Sequence, residues 1–117
     1  MEKIILYEKP TCTKCRIAVK TLKEKGLNFE DVNYYEKPFT EKGLADIFKK
    51  MNARPRDILR TIEPIYRELG IAKKDYSNEE LIKLMVLHPD LIQRPIIVKG
   101  NKAVLARPIE KLEKLLE

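Results

Sequence analysis

Short apolar runs alternate along the chain with stretches of helical period, and their order outlines a fold. Ile4-Ile5-Leu6-Tyr7 is a continuous apolar run, the pattern of a strand buried on both faces. Lys9-Pro10-Thr11 breaks it, since proline has no amide for a strand ladder. Cys15, Ala18, Val19 and Leu22 then fall at i, i+3, i+4 and i+7, one face of a helix. Gly26 follows as a stop, because glycine takes the left-handed conformation cheaply. Residues 28–33 read as a second strand, so this stretch spells strand, helix, strand, the βαβ unit.

The middle of the chain is helical. Leu44, Ile47, Phe48 and Met51 keep the same spacing, with Thr40 as a candidate cap. Short segments follow at Pro55–Leu59 and Pro64–Leu69, the second stopped by Gly70. Ser77-Asn78-Glu79-Glu80 is a capping box, in which hydroxyl and carboxylate each satisfy a free amide. It opens a helix with Leu81, Leu84, Met85 and His88 on one face, ended by Pro89. Ile96-Ile97-Val98 and Ala103-Val104-Leu105 flank Lys99-Gly100-Asn101-Lys102, a hairpin signal. Pro108 suits the first position of a last helix carrying Ile109, Leu112, Leu115 and Leu116. The order βαβ, helices, ββα predicts an α/β chain of the thioredoxin-like type. Residues 1–117 form one domain in this reading, with a helical insertion at about 40–90 between the two halves.

Composition narrows the class. A chain of 117 residues with 44% hydrophobic positions holds one core and not two. Lys and Arg number 24 against 18 Asp and Glu, but the signs are mixed, which excludes a disordered polyelectrolyte. The net +6 permits an anionic partner, but a solvated surface is the favoured reading. Basic residues interleaved with aromatics would signal single-stranded nucleic acid. Trp is absent and the five Tyr and three Phe are scattered, so no direct nucleic-acid binding is expected. No apolar run approaches the roughly 20 residues of a membrane span. Met1-Glu2-Lys3-Ile4 opens no long apolar stretch and shows no cleavage site, so a cytoplasmic protein is the expectation.

Thr11-Cys12-Thr13-Lys14-Cys15-Arg16 carries the strongest chemistry. Cys12 and Cys15 are the only cysteines, three apart at a helix start, and so share a face within reach of a disulfide. Reducing compartments remove structural disulfides, so this spacing reads there as redox-active. Cys12 sits where free amides and the helix dipole favour a thiolate, with Lys14 and Arg16 adding positive charge. A zinc site would need four ligands, and His88 is the one other soft candidate, so no metal is expected. Arg94-Pro95 heads an apolar strand, where a cis bond and a strand-starting trans proline are equal options from the residues alone. Arg60, Arg94 and Arg107 flank structural punctuation, and the planar guanidinium fork suits oxyanions. His88 at a helix end reads as structural, and Lys49-Lys50 with Arg54 and Arg56 as a solvated face.

Together these segments resemble the arsenate reductase family of thioredoxin-like proteins, the class coupled to glutathione and glutaredoxin, and its relatives the Spx-type regulators. The matching pieces are Pro10-Thr11-Cys12-Thr13-Lys14-Cys15-Arg16, Ile58-Leu59-Arg60, Glu63-Pro64 with Glu68-Leu69-Gly70, Leu87 to Ile96, and Ala106-Arg107-Pro108. They occur in family order across nearly the whole chain. The resemblance implies that Cys12 attacks the arsenic of arsenate, that Arg60, Arg94 and Arg107 hold the oxyanion, and that the bond before Pro95 is cis. No tightly bound cofactor is implied, only an external thiol donor, either thioredoxin or glutathione with glutaredoxin.

Two departures from the family pattern bear on mechanism. Glu8-Lys9-Pro10 replaces the histidine or uncharged polar residue usual there, and a carboxylate near Cys12 would raise its pKa unless Lys9 or Lys14 compensates. Cys15 stands where the glutathione-coupled reductases usually have no cysteine, a feature typical of Spx-type regulators. Ala106-Arg107-Pro108, by contrast, looks like the reductases. The expected function is therefore a thiol oxidoreductase in which Cys15 resolves the Cys12 adduct. The alternatives are a redox-sensing regulator that binds RNA polymerase and a general disulfide reductase with no oxyanion step.

Overall fold

The computed structural model describes residues 2–117. In chain order it contains β1 (Ile4–Glu8), α1 (Thr13–Glu24), β2 (Glu30–Asn33), α2 (Glu41–Met51), α3 (Pro64–Glu68), α4 (Asn78–Leu87), β3 (Ile96–Lys99), β4 (Lys102–Leu105) and α5 (Leu112–Leu116). Single 3-10 turns lie at Pro55–Ile58, Ile71–Lys73, Pro89–Leu91 and Ile109–Lys111. The chain divides into two compact units, Met1–Lys37 with Arg94–Glu117, and Pro38–Gln93.

The first unit holds one four-stranded sheet in the order β2-β1-β3-β4. β1 and β2 run parallel, which a chain achieves only with a crossover, and α1 is that crossover. β1 pairs antiparallel with β3, and β3 with β4 through the hairpin at Gly100-Asn101. Gly100 has φ 60°, the left-handed first turn position that a II′ hairpin requires. The βαβ and ββα halves thus share one sheet, the thioredoxin-like arrangement expected from the sequence. Its core is Ile4 and Leu6 of β1 against Ala18 and Leu22 of α1, with Ile97, Ala106, Leu112 and Leu115. Burying each such Leu or Ile contributes about 1.5–3 kcal/mol.

α1 ends in a Schellman motif. Gly26, at φ 69°, donates its amide to Lys23, and Leu27 donates to Leu22. Two boundaries differ from the periodicity. β2 starts at Glu30, not residue 28, because Leu27 and Phe29 fold onto the core instead of joining the ladder. Pro108 lies outside the last helix: its ψ of 165° is extended, and a 3-10 turn precedes α5.

The second unit is helical. Thr40 Oγ1 accepts the Gly43 amide at 2.9 Å and caps α2, which ends at Asn52 in the left-handed region, φ 56°. Ser77 and Glu80 form the reciprocal capping box of α4 at 2.9 and 3.1 Å. His88 closes α4 as a cap rather than extending its apolar face, since a residue before proline disfavours helical ψ. An antiparallel bridge joins Leu59 to Ile92. Among the described residues no helix is long and apolar enough to cross a membrane.

Candidate active site

β1 delivers the chain to the site, and the turn after it is closed by the Cys12 amide donating to the Lys9 carbonyl at 2.9 Å. Cys12 is the N-cap of α1, with extended backbone (φ −86°, ψ 125°) and its carbonyl taking the first helical bond, from Arg16 at 3.1 Å. A cap residue faces amides that the helix leaves without partners. Cys12 is half-buried, Cys15 is buried on the core face of α1, and both are free thiols.

The two sulfurs have opposite ionisation. Burial pushes the Cys12 thiol up, but the Cys15 amide and thiol, the Arg94 guanidinium and the Lys14 amide outweigh it and hold Cys12 below its ordinary range. In the resting structure the side chain makes no formal capping bond, so these groups act on the thiolate that forms. Burial pushes Cys15 up to about 12, with the neighbouring Cys12 and the charge of Glu8 adding to it against a Lys9 amide that lowers it. Lys14 helps Cys12 through its backbone amide. The charge of Glu8 acts on Cys15 and raises it. Lys9 instead lies over the Tyr35 ring, 4.7 Å from its centroid.

Arg94 is the second component. It is 5% exposed, and its Nη1 donates to the Tyr35 hydroxyl at 3.3 Å. Burial opposes its charge, but Tyr34, Tyr35 and Cys12 together raise its pKa further, so it is a fixed cation beside the thiol. Its Nε is buried with no hydrogen-bond partner. Arg107 Nη1 donates to the Arg94 carbonyl at 3.3 Å and ties the two arginines together. The Arg94–Pro95 bond is cis, and so is Arg107–Pro108, for which the sequence carried no signal. Cys12, Cys15, Arg94, Pro95 and Arg107 all belong to the first unit. Arg60 belongs to the second, where its Nε donates to Glu63 Oε1 at 3.0 Å and its amide to the Leu91 carbonyl at 2.8 Å.

An activated thiolate beside a buried cation with a vacant donor can attack an electrophile that carries negative oxygens. Tyr34 and Tyr35, which anchor Arg94, were not legible as site residues; two adjacent aromatics after a strand were the available signal. Among the described residues, no group of three or more His, Cys, Asp or Glu could hold a metal. With iodoacetamide at mildly acidic pH, Cys12 is expected to be alkylated first and Cys15 to resist until the protein unfolds. Peptide mapping by mass spectrometry checks this, and preferential labelling of Cys15 would reverse the roles.

Comparison with known proteins adds a second line. The pattern of the ArsC family matches residues 7–115. The arsenate reductase of Neisseria meningitidis serogroup A is 35% identical over 117 residues, covering 99% of this chain and 100% of that protein. The arsenate reductase of Haemophilus influenzae is 33% identical over 114 residues, 97% of this chain and 98% of that one. The solved arsenate reductase from Vibrio cholerae superposes with a TM-score of 0.91 at 27% identity, covering 97% of both chains.

Proposed function

Since the chain belongs to the ArsC family, we propose that it is an arsenate reductase-like enzyme, a thiol oxidoreductase that reduces an oxyanion such as arsenate. The observation that carries the reading is the contact of an acidified Cys12 with the buried Arg94, whose Nε has no partner of its own. In this reading the Cys12 thiolate attacks arsenic, and an arsenate hydroxyl takes a proton from solvent and leaves as water. Arg94 and Arg107 hold the remaining oxygens, and Arg60 is proposed as a third fork, released from Glu63. Cys15 then attacks the Cys12 sulfur, arsenic leaves with the bonding pair as arsenite, and a Cys12–Cys15 disulfide remains. Two thiols are oxidised as As(V) becomes As(III). Thioredoxin, or glutathione with glutaredoxin, restores the thiols, and no tightly bound cofactor takes part. A thiol pair of this kind works in a reducing compartment, so we place the protein in the cytoplasm. We also retain one thioredoxin-like domain in which the second unit is an insertion.

Quenched reactions with arsenate, analysed by mass spectrometry, test the sequence of steps. The wild type is expected to accumulate the internal disulfide, because attack within one helical turn has a high effective concentration. A Cys15→Ser variant should stop at a mixed disulfide with the donor or turn to glutathione and glutaredoxin. Glutathionylated Cys12 without any internal disulfide in the wild type would show Cys15 to be a packed core thiol. Capture of RNA polymerase without arsenate turnover would favour the regulator, and turnover of disulfides indifferent to all three arginines a general reductase.

A further inference from the structure

The proposed resolving step leaves a proton unaccounted for, and the inference below rests on that reading of Cys12 and Cys15. Cys15 is 0% exposed, so its proton has no direct path to bulk water. Ala18 and Leu22 of α1 pack with Ile4 and Leu6 of β1; Cys15 precedes Ala18 on that helix face and Glu8 follows Leu6 on that strand face, and the charge of Glu8 acts on Cys15. Glu8 is 3% exposed and its Oε2 has no hydrogen-bond partner. A buried carboxylate oxygen without a partner is costly. Nothing in the sheet asks for one, since the same face of β1 carries Ile4 and Leu6. Leu6 is registered with Asp31 and Glu8 with Asn33, so Asp31 is a diagonal neighbour of Glu8, and its carboxyl raises the Glu8 pKa. Both line a cavity of about 840 Å³.

We propose that the Glu8 carboxylate, backed by Asp31, accepts the proton Cys15 loses when its sulfur attacks the Cys12 adduct, and passes it to water in that cavity. The Cys15 S–H bond breaks, the S–S bond to Cys12 forms, and the group on Cys12 leaves with its bonding electrons. The proton ends on Glu8. Burial, with the Asp31 carboxyl, pushes Glu8 up to about 7, so it can both take and release a proton near neutrality. Part of the barrier at Cys15 comes from Cys12 itself, and bonding the Cys12 sulfur to an adduct removes it. The other charged groups around the cavity are Arg16, Lys20, Lys23 and Glu24 of α1, with Glu36 and Lys37 beyond β2.

The test uses the full, reduced protein and the aromatic disulfide dithionitrobenzoate, without arsenate. Attack by Cys12 releases one thionitrobenzoate, and closure by Cys15 releases a second, as the two protein thiols are oxidised and the reagent reduced. The rate of the second release should rise with pH through an inflection near 7, as Glu8 loses its proton. Glu8→Gln should leave the first release unchanged and slow the second about 100-fold at neutral pH. The inflection should vanish, leaving a rate that climbs steadily with hydroxide. Asp31→Asn removes a group that raises Glu8 and should move the inflection to lower pH. A wild-type inflection in Glu8→Gln would overturn the proposal, and so would equal slowing of both releases. A wild type that gives no second release would overturn the resolving role of Cys15 itself. Failure of arsenate turnover alone would leave these outcomes intact, which separates the two readings.

Discussion

Arsenate-dependent oxidation of the thiol donor is expected to fall about 10³-fold or more when Cys12 is replaced by serine. The reason lies in what the N-cap position supplies. The amides of Cys15 and Lys14 and the Arg94 guanidinium favour a sulfur anion at this place, and outweigh burial. A serine hydroxyl stays protonated there, because no base is present whose strength approaches that of an alkoxide. Cys12 is half-buried and makes no capping bond, so the variant should fold normally and keep its melting temperature within a few degrees. Cys15→Ser provides the contrast, since it retains the first chemical step and loses only closure. Arsenate reduction by Cys12→Ser at a wild-type rate would remove Cys12 from the mechanism.

Arg94→Lys is expected to lower kcat/KM for arsenate about 100-fold, the usual scale for losing one oriented donor to a developing oxyanion. Lysine keeps the charge and loses the fork, and its ammonium cannot serve Tyr35, Cys12 and an oxyanion in one plane. A second readout separates this from simple loss of binding. Arg94 is one of the groups that lower the Cys12 pKa, so weakening its contact must raise that pKa. The pH at which Cys12 becomes alkylated should therefore move upward in Arg94→Lys, and further in Arg94→Ala. The alanine variant also loses the Arg94 bond to the Tyr35 hydroxyl, at a cost to stability of about 1–3 kcal/mol. Unchanged turnover and an unchanged alkylation profile in both variants would detach Arg94 from Cys12.

The features legible along the chain are those that act over a few residues. The apolar run 4–7, the face Cys15, Ala18 and Leu22, the Ser77–Glu80 box and the Gly100 turn each announce an element. In each case the forces involved are local: a capped amide, a left-handed glycine, a side chain every third or fourth position. Cys12 as the N-cap and Cys15 one turn later follow from the same arithmetic. The structure alone decided what depends on pairing across the sheet and on burial. The apolar run stops at Tyr7, yet the pleat continues and turns Glu8 inward beside Asp31 of the neighbouring strand. Tyr35 meets Arg94 across 59 positions of sequence, and Arg107 meets the Arg94 carbonyl across 13. The sequence pointed to an acidic Cys12 at a helix start and set Glu8 nearby, but it gave no sign of how deeply Cys15 and Glu8 are buried. Burial, which raises Cys15 and Glu8, and fixed donors, which lower Cys12, divide them into nucleophile, buried thiol and carboxyl. That division comes from desolvation and through-space charge, which are set by neighbours in three dimensions and leave no pattern along the chain.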